Sequence, residues 1–350
     1  MFLQNKEVLS FDDVTLIPQY SDILSREEVS LKSGFLDLPI IASPMNTVTE
    51  DKMAIEMSNI GGLGIIHRYN KIVEQAFLVD KVAQKSNGET KIAAAIGVKD
   101  DYLERAKECV YNGANIICID VAHGHHILVK NAIETLRKEF GDSLHIMAGN
   151  VATPHAFLDL QNWGADSIRV GIAGGSICKT FVETHHGLST LQSVLDITNF
   201  FQNRYPIQRK AKLIADGGIK TAGNIVCAIA AGADWVICGS ILAGTDEAPG
   251  KIVEIDGKQY KSYFGMASVE AQKMYKDKAS SDEGISSYVP LKGPVQNVLQ
   301  SLKTGMKSGF SYSGARSIEE LQKFAIIQKQ TNSSYLQGTP HILNREGKQF

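Results

Sequence analysis

Cys178 is the one cysteine of five that falls in a glycine-rich stretch, Gly171-Ile172-Ala173-Gly174-Gly175-Ser176-Ile177-Cys178-Lys179-Thr180. Three glycines in five residues give a backbone with little side-chain bulk, able to close on an anion or a planar ligand. A thiol and, two residues on, a hydroxyl are then delivered into that space, which makes Cys178 a candidate catalytic nucleophile. The other four, Cys109, Cys118, Cys227 and Cys238, sit inside apolar helix or strand patterns, where a thiol acts as a small core residue. An odd count without a close C-x-x-C pair argues against a disulfide framework or a zinc site.

The elements that must position this loop follow a regular alternation. Apolar runs of strand length occur at Pro39–Ala42, Leu63–His67, Ile92–Ile96, Ile116–Val121, His145–Ala148, Ser167–Val170, Leu213–Asp216 and Trp235–Gly239. Helical patterns lie between them, at Asp51–Asn59, Ile72–Gln84, Tyr102–Tyr111, His126–Phe140, Pro154–Trp163 and Ala222–Ala231. The alternation is that of βαβ units, and eight runs count out to a closed (β/α)8 TIM barrel. A doubly wound open sheet would want a G-x-G-x-x-G turn after its first strand, and Ser43-Pro44-Met45-Asn46 offers none. After the eighth run come a hairpin pattern around Asp256-Gly257, a polar stretch from Lys273 to Ser287, and helical patterns at Pro294–Met306 and Ile318–Ile327. Ser317 and Glu320 form a capping-box pattern at the start of the last helix, and the tail from Gln328 reads as loosely held. The expectation is one catalytic domain over residues 1–350, with a hairpin and flap (about 266–290) inserted after strand eight and helices at the C-terminal end.

In such a barrel, chemistry gathers at the C-terminal ends of the strands. Those positions carry Ser43-Pro44-Met45-Asn46, His67-Arg68, Gly97, Asp120 to His125, Gly149-Asn150, Gly171 to Thr180, Asp216-Gly217-Gly218 and Gly239-Ser240. Gly217-Gly218 and Gly239-Ser240 follow strands seven and eight, where this fold binds phosphate. Asp120 and Asp216 end apolar strands, where an unpartnered carboxylate is costly, so each should meet a ligand, Asp216 by accepting from ribose hydroxyls. His123 and His125 raise the question of a metal, but H-x-H alone is a weak ligand set.

Composition bounds the function. With 350 residues, 43% apolar, 21% charged and a formal charge of −2, the chain has no electrostatic case for nucleic acid or an acidic membrane surface. No apolar run approaches a membrane span and the N-terminus lacks a signal-peptide pattern, so a cytoplasmic enzyme is expected.

Through Ser10-Phe11-Asp12-Asp13-Val14, Asp120–His125, Ala148-Gly149-Asn150-Val151, Ala215–Ile219, Gly239–Thr245 and Gly265-Met266, in that order, the chain resembles the IMP dehydrogenase / GMP reductase family over nearly its whole length. The resemblance implies a barrel, assembled as a homotetramer, that binds a purine nucleotide monophosphate beside a nicotinamide cofactor. It casts Cys178 as the thiolate that attacks purine C2. Ser176, Gly217, Gly218, Gly239, Ser240, Tyr263, Gly265, Met266 and Gly284 would hold the nucleotide, with Asp216 on its ribose. Asp120, Ala122, His123 and Asn150, with His67 or Arg68, would face the cofactor. In dehydrogenases of the family the nucleophile loop also binds potassium through backbone carbonyls, here those of Gly171, Gly174 and Cys178.

The branch is read from departures. Ile72 to Gly97 runs directly from helix to strand, so the tandem CBS-type regulatory domain usual in dehydrogenases is absent. Between Met266 and Gly284 the chain offers no Arg-Tyr pair, which dehydrogenases use to activate the hydrolytic water, whereas Thr180 and Glu283 match residues that reductases use on the leaving amine. The resemblance therefore implies a GMP reductase that converts GMP to IMP and ammonia with NADPH. Lys292-Gly293-Pro294-Val295 and Gly338-Thr339-Pro340-His341 look more like the other branch, an IMP dehydrogenase converting IMP to XMP with NAD. Ala173-Gly174 stands where the family has Gly-Pro, and Lys179 and Phe181 flank Thr180, which leaves a third alternative, a nucleotide-binding homologue without catalysis.

Overall fold

The computed structural model describes residues 7–85, 91–203, 207–265 and 286–340. Eight parallel strands close into a barrel in chain order: Ile40–Ala42, Leu63–Ile66, Ala93–Ile96, Ile116–Asp120, His145–Val151, Ser167–Val170, Lys212–Asp216 and Trp235–Cys238. The first pairs with the last, Ala42 opposite Cys238, which removes both sheet edges. Helices Asp51–Asn59, Tyr102–Tyr111 and Pro154–Trp163 fall on their expected bounds. The sixth connection differs from the others: a five-residue helix, Thr180–Thr184, precedes the long helix Thr190–Asn203.

The strands are apolar runs because both faces are buried, yet parity still divides them. Leu63, Ile65, Ile116, Cys118, Met147, Ile214, Trp235 and Ile237 form the inner cluster, while Ile66, Ile117, Ile119, Ile146, Leu213 and Val236 pack outward against the helices. Continuing the inward parity by one step from Cys118, Ser167 and Ile214 reaches Asp120, Arg169 and Asp216 at the mouth of the barrel. Three charged side chains are thereby sent inward by register alone.

The opposite end of the barrel is closed by aromatic packing. Phe35 lies edge-on to His145 and tilted against Trp235, at centroid distances of 5.3 and 4.8 Å. Trp235 Nε1 donates to the Ser33 carbonyl at 3.0 Å, which satisfies the one polar atom of a fully buried ring.

Beyond the barrel, Ile252–Ile255 and Lys258–Phe264 form the expected hairpin, with Asp256 and Gly257 both at positive φ, and Ser286–Pro290 adds a third antiparallel strand. Most of the expected flap, residues 266–285, lies outside the described residues. Helix Val295–Tyr312 packs on Ala222–Ala230 so closely that a Cβ at Gly305 would lie 2.6 Å from Ala222 Cβ. The C-terminal expectation needs correction. The helix begun at Ser317 stops at Phe324, because Ile326–Lys329 pairs antiparallel with Val14–Ile17. The tail is held as well: Thr331 caps helix Asn332–Gly338, and the Gln330 side chain donates to the Asp12 and Val14 carbonyls. Of the capping box, Ser317 accepts from Glu320 N as expected, but the Glu320 carboxylate accepts from Arg316 N instead.

His145 links this packing to pH. Burial, only partly opposed by nearby Asp166, lowers its pKa to about 4. Between the unfolded value of about 6.5 and about 4, the unfolded chain binds a proton that the folded chain refuses, so stability falls as pH drops through that window and levels off below it. The expected loss is about 3 kcal/mol, and His145→Gln should flatten the slope of urea-unfolding free energy against pH. Identical slopes in both proteins would show that His145 does not titrate in this way.

Candidate active site

The centre of the barrel mouth is an ion-pair bridge. Arg169 Nη1 donates to Asp120 Oδ1 at 2.6 Å, while Nη2 and Nε donate to Asp216 Oδ2 at 2.8 and 3.0 Å. The arginine is 8% exposed and the carboxylates are 15% and 14% exposed, so the cluster is largely desolvated. Burial alone would lower the Arg169 pKa, but Asp216 and Asp120 hold it well above the ordinary arginine value. Asn150 Nδ2 adds a third donor to Asp216 Oδ2 at 2.8 Å and also reaches the Gly171 carbonyl at 2.8 Å. Tyr69 Oη donates to Asp120 Oδ2 at 3.4 Å, and Arg68 Nε lies 3.8 Å from the same oxygen.

The loop after strand six is pressed onto the loop after strand seven. A Cβ at Gly171 would lie 2.0 Å from the Asp216 carbonyl, and one at Gly174 would lie 2.9 Å from Thr190 Oγ1. Thr190 Oγ1 donates to that same Asp216 carbonyl at 3.0 Å, which fastens helix Thr190–Asn203 beneath both loops. On this support Cys178 is exposed, and its Sγ donates to Thr180 Oγ1 at 3.2 Å. The four remaining thiols are buried, and desolvation pushes each of them up to about 12. Their thiolates are inaccessible near neutral pH, which leaves Cys178 as the nucleophile candidate.

Facing the thiol is a cavity of about 410 Å³ floored by Gly217, Gly218, Gly239 and Ser240. Gly217 and Gly218 take φ of +108° and +76°. Among the described residues no backbone carbonyl accepts from the amides of Gly217, Gly218, Gly239 or Ser240, so these donors are left for an anion or solvent. Ser43 Oγ is buried here and has no hydrogen-bond partner among the described residues. A Cβ at Gly239 would lie 3.2 Å from Ser43 Oγ and 3.4 Å from Tyr263 Oη, so glycine keeps the gap between the two hydroxyls open. Tyr263 is buried here, and burial raises its pKa, so its hydroxyl stays neutral.

The cavity thus gathers Cys178, Thr180, Ser176, Asp216, Gly217, Gly218, Gly239, Ser240, Tyr263 and Gly265, together with Asp120, Ala122, Asn150 and Arg68. Met266, Glu283 and Gly284 lie outside the described residues. Two expected cofactor contacts do not line it. His67 is buried behind the wall, its Nε2 3.2 Å from Glu50 Oε1 and its Nδ1 accepting from Tyr69 N. His123 stands exposed outside the lining, and His125 pairs with Asp159 at 2.8 Å. Among the described residues no cluster of three His, Cys, Asp or Glu could hold a metal. Of the carbonyls expected for potassium, that of Gly171 accepts from Asn150 Nδ2 and keeps its second lone pair. Three protein donors converge on Asp216 Oδ2, which leaves Oδ1 of this cavity-lining carboxylate able to accept from a ligand. Arg169 and Tyr69 line the cavity without having been singled out from the sequence, and Ser43 and Met45, named there only as strand-end positions, line it too. For Arg169 the signal was present: a cation at the inward parity of an apolar strand, flanked by two strand-end aspartates.

A family model described as IMP dehydrogenase / GMP reductase domain matches residues 8–341. The inosine-5'-monophosphate dehydrogenase of Borreliella burgdorferi is 34% identical, over 96% of this chain and 97% of that protein. The GMP reductase of Leishmania major is 29% identical, over 97% and 98%. A crystal structure of a cysteine-to-alanine variant of GMP reductase from Trypanosoma brucei, in complex with guanosine 5'-monophosphate, matches with a TM-score of 0.88 at 28% identity, covering 97% of this chain and 98% of that one. The alignment to the Leishmania reductase extends over 485 positions against 350 residues here, and that to the Borreliella dehydrogenase over 399. Additional sequence thus occurs in a reductase as well as in a dehydrogenase, so lacking it does not separate the two branches.

Arg169→Met should strand two facing carboxylates and cost about 3–5 kcal/mol in urea unfolding. Adding Asp120→Asn and Asp216→Asn to that variant should recover most of the loss. A cost under about 1 kcal/mol for the single change would mean that the bridge behaves as a solvated surface pair.

Proposed function

The chain belongs to the IMP dehydrogenase / GMP reductase family of oxidoreductases, and from that premise we propose that it reduces GMP to IMP and ammonia at the expense of NADPH. The observation that carries this reading is the contact between Cys178 Sγ and Thr180 Oγ1 over a floor of uncommitted amides. The floor suits a 5'-phosphate on Gly217, Gly218, Gly239 and Ser240, with Ser43 Oγ as an added donor, and it leaves the purine over Cys178. The Cys178 thiolate attacks purine C2, and the C2–N bond to the exocyclic amine breaks. Thr180 relays a proton so that ammonia departs, with Glu283 assisting. The nicotinamide, when bound on the side of Asp120, Ala122, Asn150 and Arg68, supplies hydride to C2. Breaking the C2–S bond then returns the thiolate and releases IMP. Between Met266 and Gly284 there is no arginine to activate a hydrolytic water, which favours the reductive branch over hydrolysis. The reading carries with it a single catalytic domain without the CBS-type insertion, a homotetramer and a cytoplasmic setting.

A second reading, an NAD-dependent IMP dehydrogenase, is favoured by the 34% identity to the Borreliella enzyme. A nucleotide-binding homologue without catalysis is favoured by Ala173, held at φ +68° in the nucleophile loop. Incubation with GMP and NADPH should consume NADPH and release ammonia in equal amounts. Cys178→Ala should abolish turnover while retaining nucleotide binding, and Thr180→Val should lower kcat by about 10²-fold. Turnover of IMP with NAD, but not of GMP with NADPH, would replace this reading with the second. Tight nucleotide binding with no turnover of either pair would replace it with the third.

A further inference from the structure

We propose that Lys292 is a positioning residue for the phosphate group of the substrate, an inference that rests on the nucleotide reading above. Lys292 follows the strand Ser286–Pro290, and its side chain crosses to the loop after barrel strand eight. There Nζ donates to the Ser240 carbonyl at 2.7 Å and to the Ile241 carbonyl at 3.0 Å. The Gly239 carbonyl is held separately, accepting from Leu242 N and Ala243 N at 3.0 Å each. Successive carbonyls of this turn are thus fixed by internal bonds or by the ammonium. In a trans peptide the N–H points opposite to its C=O. Lys292, by holding the Ser240 carbonyl, directs the Ile241 N–H the other way, as the bonds to the Gly239 carbonyl do for the Ser240 N–H at the cavity edge.

The ammonium also brings positive charge to a loop whose residues Gly239 and Ser240 border the cavity. A phosphate dianion there meets oriented amides backed by a cation, and such donors gain strength from charge behind them. Lys261 has a different task. It is buried and donates to the carbonyls of Thr245, Asp246 and Ala248, past the part of the loop that faces the cavity.

The segment does not depend on the Lys292 side chain for its own placement. Lys292 N donates to the Gly244 carbonyl, the Gly293 carbonyl accepts from Asp246 N, both at 2.9 Å, and Val295 N donates to Glu247 Oε2 at 2.7 Å. Removing the ammonium should leave this backbone in position.

The test compares IMP with inosine, which differ only in the phosphate, by calorimetry on the full chain as wild type, Lys292→Met and Lys292→Arg. Lys292→Met should weaken IMP by about tenfold or more while changing inosine less than about twofold, and Lys292→Arg should restore most of the loss. An unchanged IMP affinity in Lys292→Met would overturn the proposal. So would equal weakening of IMP and inosine, which would mark a general structural role. If wild type binds IMP with this dependence on Lys292 but turns over neither substrate pair, the catalytic reading fails and the positioning role stands. If wild type binds no monophosphate, both fall together.

Discussion

Much of the mouth of this barrel hangs on one buried guanidinium. Arg169 joins Asp120 at the end of the fourth barrel strand to Asp216 at the end of the seventh, from the sixth between them. Both carboxylates are about 15% exposed, and the planar guanidinium meets them on two sides, Nη1 towards Asp120 and Nη2 with Nε towards Asp216. The bridge explains other choices around it. A Cβ at Gly149 would come within 2.5 Å of Arg169 Cβ, so the fifth strand must offer glycine where it passes the arginine. Asn150, the next residue, then reaches both Asp216 and the Gly171 carbonyl, tying the nucleophile loop to the same cluster.

Much of this was legible from the chain alone. The eight apolar runs lay within a residue or two of the strands at nearly every end, because a strand buried on both faces has no other composition available to it. Cys178 stood out because the other four thiols sat in core patterns, and burial has indeed made them inert. That the loops after strands seven and eight would face one cavity followed from the fold's own geometry.

What escaped had physical reasons. Strand ends and their charges were read one at a time, so Arg169, which register sends between Asp120 and Asp216 as their shared partner, went unread. His67 ends an apolar strand and invited a functional role, but Glu50, seventeen residues earlier, supplies its partner, and that contact has no local sequence signature. The C-terminal segment after Phe324 is too polar to announce itself as a strand. Its pairing with Val14–Ile17 depends on a partner more than 300 residues away. Long-range pairing overrides local composition at such a site.

The nucleophile loop shows how sequence departure and mechanical constraint meet. Gly171 and Gly174 are crowded against Asp216 and Thr190, so neither can accept a side chain without separating this loop from the loop at Asp216-Gly217. Ala173, between them, adopts φ +68°, a conformation that costs an alanine roughly 1–2 kcal/mol relative to the right-handed region. It is retained there because both neighbours are fixed: the Gly171 carbonyl by Asn150, and Gly174 by its contact with the Gly217 backbone. The Ala173 methyl in turn fills the space beside Gly187, where a second Cβ would come within 2.8 Å. The loop that aims Cys178 is therefore held by contacts on both flanks, and its uncommon residues are accommodated by neighbours that give up their own side chains.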